Sequence, residues 1–173
     1  MCATTLQNCH GQVLYFDVAD LLLHTDYLNE LPDLRNVVRN SLTVSKARFI
    51  ERVTLDPAGI KLLKEFSQKS NVLLYPLASV FNRDFLIKQG LDADCLALDM
   101  PLHRRFNDSN QIRQMLAHAY AVKADWRVVG NLVQYDMQLS DFAVRYIKMN
   151  DSASGVTKNL IKRISDSFQS QKN

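Results

Sequence analysis

Two stretches of the chain, VLYFDVADLLL at 13–23 and WRVVGNLVQYD at 126–136, are short and nearly continuous apolar runs that end abruptly in carboxylate or amide side chains. Runs of that length without polar alternation predict strands buried on both faces, the signature of a parallel sheet. Further apolar runs at 71–77 (NVLLYPL), 94–100 (DCLALDM) and 142–149 (FAVRYIKM) predict three more strands, and with 12–17 and 126–129 they make five. Between them the period changes to that of a helix. Asp56 followed by Pro57 supplies an N-cap and a first-turn proline, and Ile60, Leu63 and Phe66 give an inward stripe over 57–69. A helix over 82–89 is closed by Gly90, and Asp108 and Ser109 cap one whose Ile112, Met115, Leu116 and Ala119 recur at helical spacing. Val156, Leu160, Ile161, Ile164 and Phe168 define a terminal amphipathic helix. Residues 24–53 are the least legible, since Pro32 breaks any single long helix and only 34–42 suggests a short one.

Strands alternating with helices through short connections predict an α/β fold: a three-layer sandwich with a five-stranded, mainly parallel sheet, because parallel neighbours need crossovers and these place helices on the faces. The chain of 173 residues fits one domain over 12–173, preceded by a flexible tail over 1–11. In such sheets ligands bind at the carboxyl ends of the strands, where Asp17, Asn131 and Asp136 fall.

Composition narrows the function. A hydrophobic fraction of 47% with 23% charged residues is globular, and a net charge of +3 with dispersed Lys and Arg argues against nucleic acid as a partner. Asp17 and Asp20 interrupt the most apolar stretch, so no membrane span is expected, and the N-terminus lacks the basic region of a secretory signal. Three cysteines without regular spacing suit a reducing, cytoplasmic setting; Cys2, Cys9 and His10 match no zinc pattern. With five glycines and no GxGxxG or GxxxxGK[ST], the chain lacks the phosphate cradle of dinucleotide and P-loop proteins.

LYFDVADLLL, TLDPAGIKLLKEFSQKSNVLLYPLASVFNRDFLIKQGL and VVGNLVQYD, taken in order, resemble the motifs of the haloacid dehalogenase-like hydrolase superfamily over about residues 12–149. The resemblance implies hydrolysis of a small phosphorylated substrate, with Asp17 as the nucleophile that forms a covalent aspartyl intermediate. It implies Mg²⁺ held by Asp17, the Ala19 carbonyl, Asn131 and Asp136, hard oxygen donors of the kind the ion prefers. It places Arg105, or Arg104, at the position of the cation that neutralises the phosphate. This chain departs from the pattern in several places. Ala19 stands where phosphatases carry a general acid, Asp20 lies one residue further on, Tyr75 or Pro76 replaces a Ser or Thr with Ser79 as a poor substitute, and Asn131 replaces an acid. A metal-free dehalogenase branch tolerates such a loss. Residues 24–53 provide at most a reduced cap. The alternative implied by these departures is an inactive relative that binds another protein, its C-terminal helix being a docking element. Asp17 capping a turn, Asn131 and Asp136 forming an Asx turn and a helix cap, Arg104 and Arg105 as surface charges, and His118 as a core residue are the plain structural readings.

Overall fold

The computed structural model describes residues 11–77, 80–100, 109–149 and 153–170. Four parallel strands, β1 (Gln12–Phe16), β2 (Val72–Pro76), β3 (Asp125–Gly130) and β4 (Tyr146–Lys148), form one sheet in the order β2-β1-β3-β4. The α/β class and parallel sheet agree with the sequence pattern, but the count is four strands rather than five. Residues 94–100 make a single bridge, Leu74 with Leu96, beside β2. A 3-10 turn at Ala93–Cys95 precedes the bridge and Leu98 turns to solvent after it, so this apolar run lacks a second residue pair to propagate a ladder. The last strand is also shorter than 142–149, because Ser140–Arg145 folds as a 3-10 turn whose Phe142 ring packs against Trp126.

Alternation sorts the strands onto two faces. Leu14, Phe16, Val72, Leu74 and Val129 point into the larger core, and Val13, Tyr15, Trp126 and Val128 into the smaller one. The larger core is closed by α1 (Val18–Leu22), by α5 (Pro57–Ser70), capped by Asp56, and by α9 (Lys158–Gln169), which buries Leu160, Ile164 and Phe168. The smaller is closed by α7 (Gln111–Ala121) through Ile112, Met115 and Ala119. The cap of α7 is Asn110, one residue beyond the expected pair, and its side chain accepts from the Arg113 N–H at 3.0 Å. Between β2 and the Leu96 bridge lies α6 (Arg83–Lys88), capped by Asn82 and followed by Gly90 at a φ of 111°.

Residues 24–53 hold more order than their pattern shows. They form α2 (Thr25–Glu30), α3 (Pro32–Arg39) and α4 (Lys46–Arg52), a small helical insertion between β1 and α5 that sends Leu34, Phe49 and Val53 into the larger core. Among the described residues no helix is long and apolar enough to cross a membrane.

The C-terminal helix is fastened rather than free. Arg127 on β3 is fully buried, its Nε and Nη2 donating to the Ser167 carbonyl at 3.0 and 2.7 Å and its Nη1 to Asp125 Oδ1 at 2.7 Å, with the guanidinium over the Phe168 ring. A buried guanidinium is tolerated only with such partners. The apolar face of this helix is therefore packed inside the molecule.

Candidate functional site

The sheet register places Phe16, Pro76, Val129 and Ile147 level with one another, so the residues that follow, Asp17, Leu77, Gly130 and Lys148, make a row along the carboxyl ends of the strands. Asp17 leaves β1 with its N–H donated to the Val129 carbonyl at 3.1 Å, and turns into α1 with its Oδ1 accepting the Asp20 N–H at 2.9 Å. The capping reading of Asp17 thus holds, and it coexists with a position at the end of a central strand. Burial pushes the Asp17 carboxyl above the usual carboxylate range, against the pull of the Asp20 and Ala19 N–H groups.

Asp20 lies beside it, where the sequence assigned it no role. Its Oδ2 accepts the Asn131 N–H at 2.8 Å, so a side chain from the β1 loop holds the backbone of the β3 loop. Burial raises the Asp20 carboxyl, the Asp17 charge raises it further, and the Asn131 N–H opposes both. Gly130 makes the approach feasible: a Cβ there would lie 3.0 Å from Asp17 Cβ and 3.4 Å from Asp20 Oδ2. This use of glycine for close contact was latent in VVGN, but its partners depend on strand pairing 110 residues away.

Asp136 opens the short helix α8 (Asp136–Leu139) and is exposed, with Oδ2 3.6 Å from Lys148 Nζ. Tyr146 joins this pair to the carboxylates. Its hydroxyl accepts the Leu132 N–H at 3.0 Å and donates to the Gly130 carbonyl at 3.4 Å, while burial and the nearby Asp136 and Asp20 charges raise its pKa. Neither Tyr146 nor Lys148 stood out in the sequence; a tyrosine and a lysine in a predicted strand read as ordinary sheet residues. Asn131 is exposed at the β3 end, and the Ala19 carbonyl accepts the Leu23 N–H within α1. Arg105, Arg104 and Ser79 lie outside the described residues.

These placements bear on whether an ion fits. Among the described residues no three His, Cys, Asp or Glu side chains gather closely enough to hold a metal. Asp17 Oδ1 accepts an N–H and Asp136 Oδ2 faces Lys148, and no chemical step is derived through the ion.

Tyr75, at the end of β2, turns to the other core. Its ring stacks on His118 at 4.0 Å and its hydroxyl donates to Asp99 Oδ1 at 2.8 Å. His118 donates from Nε2 to the Leu98 carbonyl at 2.9 Å, which leaves Nδ1 as the acceptor of the Tyr15 hydroxyl at 2.7 Å. Burial lowers the His118 pKa, consistent with this neutral ring, and supports its reading as a core residue. Tyr75 and His118 border a cleft of about 260 Å³ with Leu77, Asn82, Arg83 and Asp99. Leu77 is bonded through its N–H to the Phe16 carbonyl, so this cleft begins one strand away from Asp17.

No protein-family model matches the chain, and no curated protein or solved structure matches it significantly either.

Proposed function

We propose that this chain is a haloacid dehalogenase-like hydrolase domain that cleaves a small phosphomonoester through Asp17. The observation that carries this reading is the position of Asp17: a partly buried carboxylate at the carboxyl end of a central parallel strand, clasped between the β1 and β3 loops through Asp20 and Asn131. An ionised Asp17 attacks phosphorus, the alkoxide departs with a proton taken from water, and water then hydrolyses the aspartyl phosphate. Asp20 acts as a positioning residue, since its contact is with the Asn131 backbone. Lys148, in the same row of strand ends, and Arg105 supply positive charge for the phosphate. Without a residue placed to protonate the leaving group, turnover is lower by about 10²–10⁴-fold than in a site that has one.

The test is hydrolysis of p-nitrophenyl phosphate and a panel of phosphomonoesters, with and without Mg²⁺, by the wild-type protein and Asp17→Asn. Turnover lost in the variant supports the proposal; wild-type turnover equal to that of Asp17→Asn on every substrate overturns it. Loss of activity on chelation would give Mg²⁺ a role that Asp17, Asn131 and Asp136 would have to share.

A second reading, an inactive relative that binds a protein, draws on Ala19 at the position of the missing acid and on the Asp136–Lys148 pair, which occupies a carboxylate otherwise available to substrate or ion. Equal turnover in wild type and Asp17→Asn would favour it.

A further inference from the structure

The turn that leaves β3 is held from both sides by side chains of its neighbours. Asp20, on α1, takes the Asn131 N–H on its Oδ2 at 2.8 Å, and Tyr146, the first residue of β4, takes the Leu132 N–H on its hydroxyl at 3.0 Å. The same hydroxyl donates to the Gly130 carbonyl at 3.4 Å, and the Leu132 carbonyl accepts the Tyr135 N–H at 2.9 Å. The N–H groups of Asn131 and Leu132 are thus spent on the protein itself, and neither is left for a ligand. One donor of the turn remains. Asn131 is exposed, and among the described residues its carboxamide has no hydrogen-bond partner.

A fixed backbone that carries an unengaged polar side chain suits contact with a ligand, because the new bond costs no ordering of the main chain. The position sets what that ligand meets. Gly130 packs against Asp17 so closely that a Cβ there would lie 3.0 Å from Asp17 Cβ, and Asn131 is the next residue, about 3.8 Å further along the backbone. One oxygen of each neighbouring carboxylate is already taken, Asp17 Oδ1 by the Asp20 N–H and Asp20 Oδ2 by the Asn131 N–H. A carboxylate at 131 would add a third negative charge against any anion facing Asp17. A carboxamide of the same size adds no charge and presents two N–H donors. Lys148, level with Gly130 on β4, is exposed and held only by Asp136 at 3.6 Å, and it supplies the positive charge of this edge. A group with several anionic oxygens uses both, the amide as a donor and the ammonium as a charge.

We propose that Asn131 contacts the phosphoryl group itself, its Nδ2 donating to a non-bridging oxygen, and that Tyr146 is a positioning residue that acts through the turn. This rests on the reading of Asp17 as the nucleophile and names the side chain that holds the group Asp17 attacks. Asp20 and Tyr146 each satisfy one N–H of the turn. Removal of the Tyr146 hydroxyl leaves the Leu132 N–H unpaired and lets the turn swing the carboxamide away from the phosphoryl group.

The probe is inorganic phosphate, titrated with a chelator present into the intact ¹⁵N-labelled chain, with affinity read at the Gly130 amide and contact read at the Asn131 side-chain NH₂. The NH₂ resonances should shift saturably in the wild type. Asn131→Ala should weaken phosphate binding by roughly tenfold, the loss of one hydrogen bond to a charged group, and Asn131→Asp by more, because it also adds a repelling charge. That order is the signature, since Asp completes an Asx turn as well as Asn does and a merely structural Asn131 would make Asp harmless. Tyr146→Phe should weaken binding by about threefold in the wild type and have no further effect in Asn131→Ala, because it acts only through that carboxamide. Phosphate should also slow exchange of the Leu132 N–H in the wild type, which decides the positioning role should Tyr146→Phe not fold. Asn131 resonances that ignore phosphate overturn the proposal, as does an Asn131→Asp variant that binds like the wild type, a Tyr146→Phe loss undiminished in Asn131→Ala, or Leu132 exchange that ignores phosphate. Turnover separates this contact from the reaction. Phosphate held through Asn131 without Asp17-dependent hydrolysis keeps the contact and removes the reaction, whereas Asp17-dependent hydrolysis with an unchanged KM in Asn131→Asp keeps the reaction and removes the contact.

Discussion

The two ends of the sheet handle buried charge in opposite ways. At the amino end of β3, Asp125 accepts from Arg127 and Arg145 at 2.7 and 2.8 Å; burial pushes its carboxyl up, but the two guanidinium groups outweigh burial and hold it below the usual range. At the carboxyl end of β1, Asp17 and Asp20 are held by backbone N–H groups, each is raised by burial, and the charge of Asp17 adds to the rise at Asp20. One end is a finished structural joint that ties α9 to β3. The other keeps two carboxylates whose charged forms burial disfavours, each with a structural contact of its own, and groups perturbed in this way are common at functional sites.

The largest effect should come from cutting the joint. Arg127→Met removes the donors that bind Ser167 and Asp125 and should lower stability by about 3 kcal/mol in chemical denaturation, with amide protection of α9 reduced most. A loss of much less would mean that apolar packing of α9 suffices and that the joint adds little.

Next in size is Gly130→Ala. The added methyl meets Asp17 Cβ at 3.0 Å between two strands that cannot easily part. We expect a stability loss of about 1–2 kcal/mol, as for other insertions into close packing, and a fall in any Asp17-dependent hydrolysis beyond what the stability loss accounts for. Equal activity in this variant would separate the β1–β3 contact from function.

The pH dependence of stability should carry opposite signs at the two ends. A raised carboxyl binds its proton more tightly when folded, so Asp17 and Asp20 favour the folded state at low pH and that contribution is lost as pH rises through their folded titration. Asp125, held low, contributes above the ordinary carboxylate value and loses its contribution as pH falls through its folded titration. Denaturation profiles of Asp17→Asn should therefore decline less above about pH 4 than those of the wild type, with Asp20 keeping its share, whereas Asp125→Asn should decline less below it.

The smallest effect sharpens the coupling itself. With Asp17 neutralised in Asp17→Asn, the Asp20 carboxyl should titrate at lower pH than in the wild type, as read by ¹³C carboxyl resonances, because one of the causes of its rise is gone. An unchanged Asp20 would show that burial alone sets it.

Much of this was legible in the chain and some was not, for identifiable reasons. The runs ending at Asp17 and Gly130 mark central strands because burial on both faces demands unbroken apolar sequence, and Asp56-Pro57 and Asn82 mark helix starts through local hydrogen bonds. Residues 94–100 have the composition of a strand and make one bridge, since ladder formation depends on a neighbour to pair with and not on the run itself. Residues 24–53 hide three short helices because their apolar positions answer to different surfaces, Phe49 to Phe81 and Val53 to the core under α5. Asp20 is unreadable for the same reason: its partner is a backbone N–H 111 positions away.

By itself, then, the sequence determined the class of fold, the strands at the centre of the sheet and the end of that sheet where Asp17 would emerge, because hydrophobic period and capping chemistry act within a few residues. Only the tertiary structure decided that Asp20 grips the β3 loop, that Asp136 faces Lys148, that Arg127 fastens the last helix and that His24 meets Asp56. Each is a contact between groups brought within about 4 Å by strand register and helix packing, and at that range the free energy of a charge or hydrogen bond depends on burial and on the partner, neither of which a residue's neighbours in the chain specify.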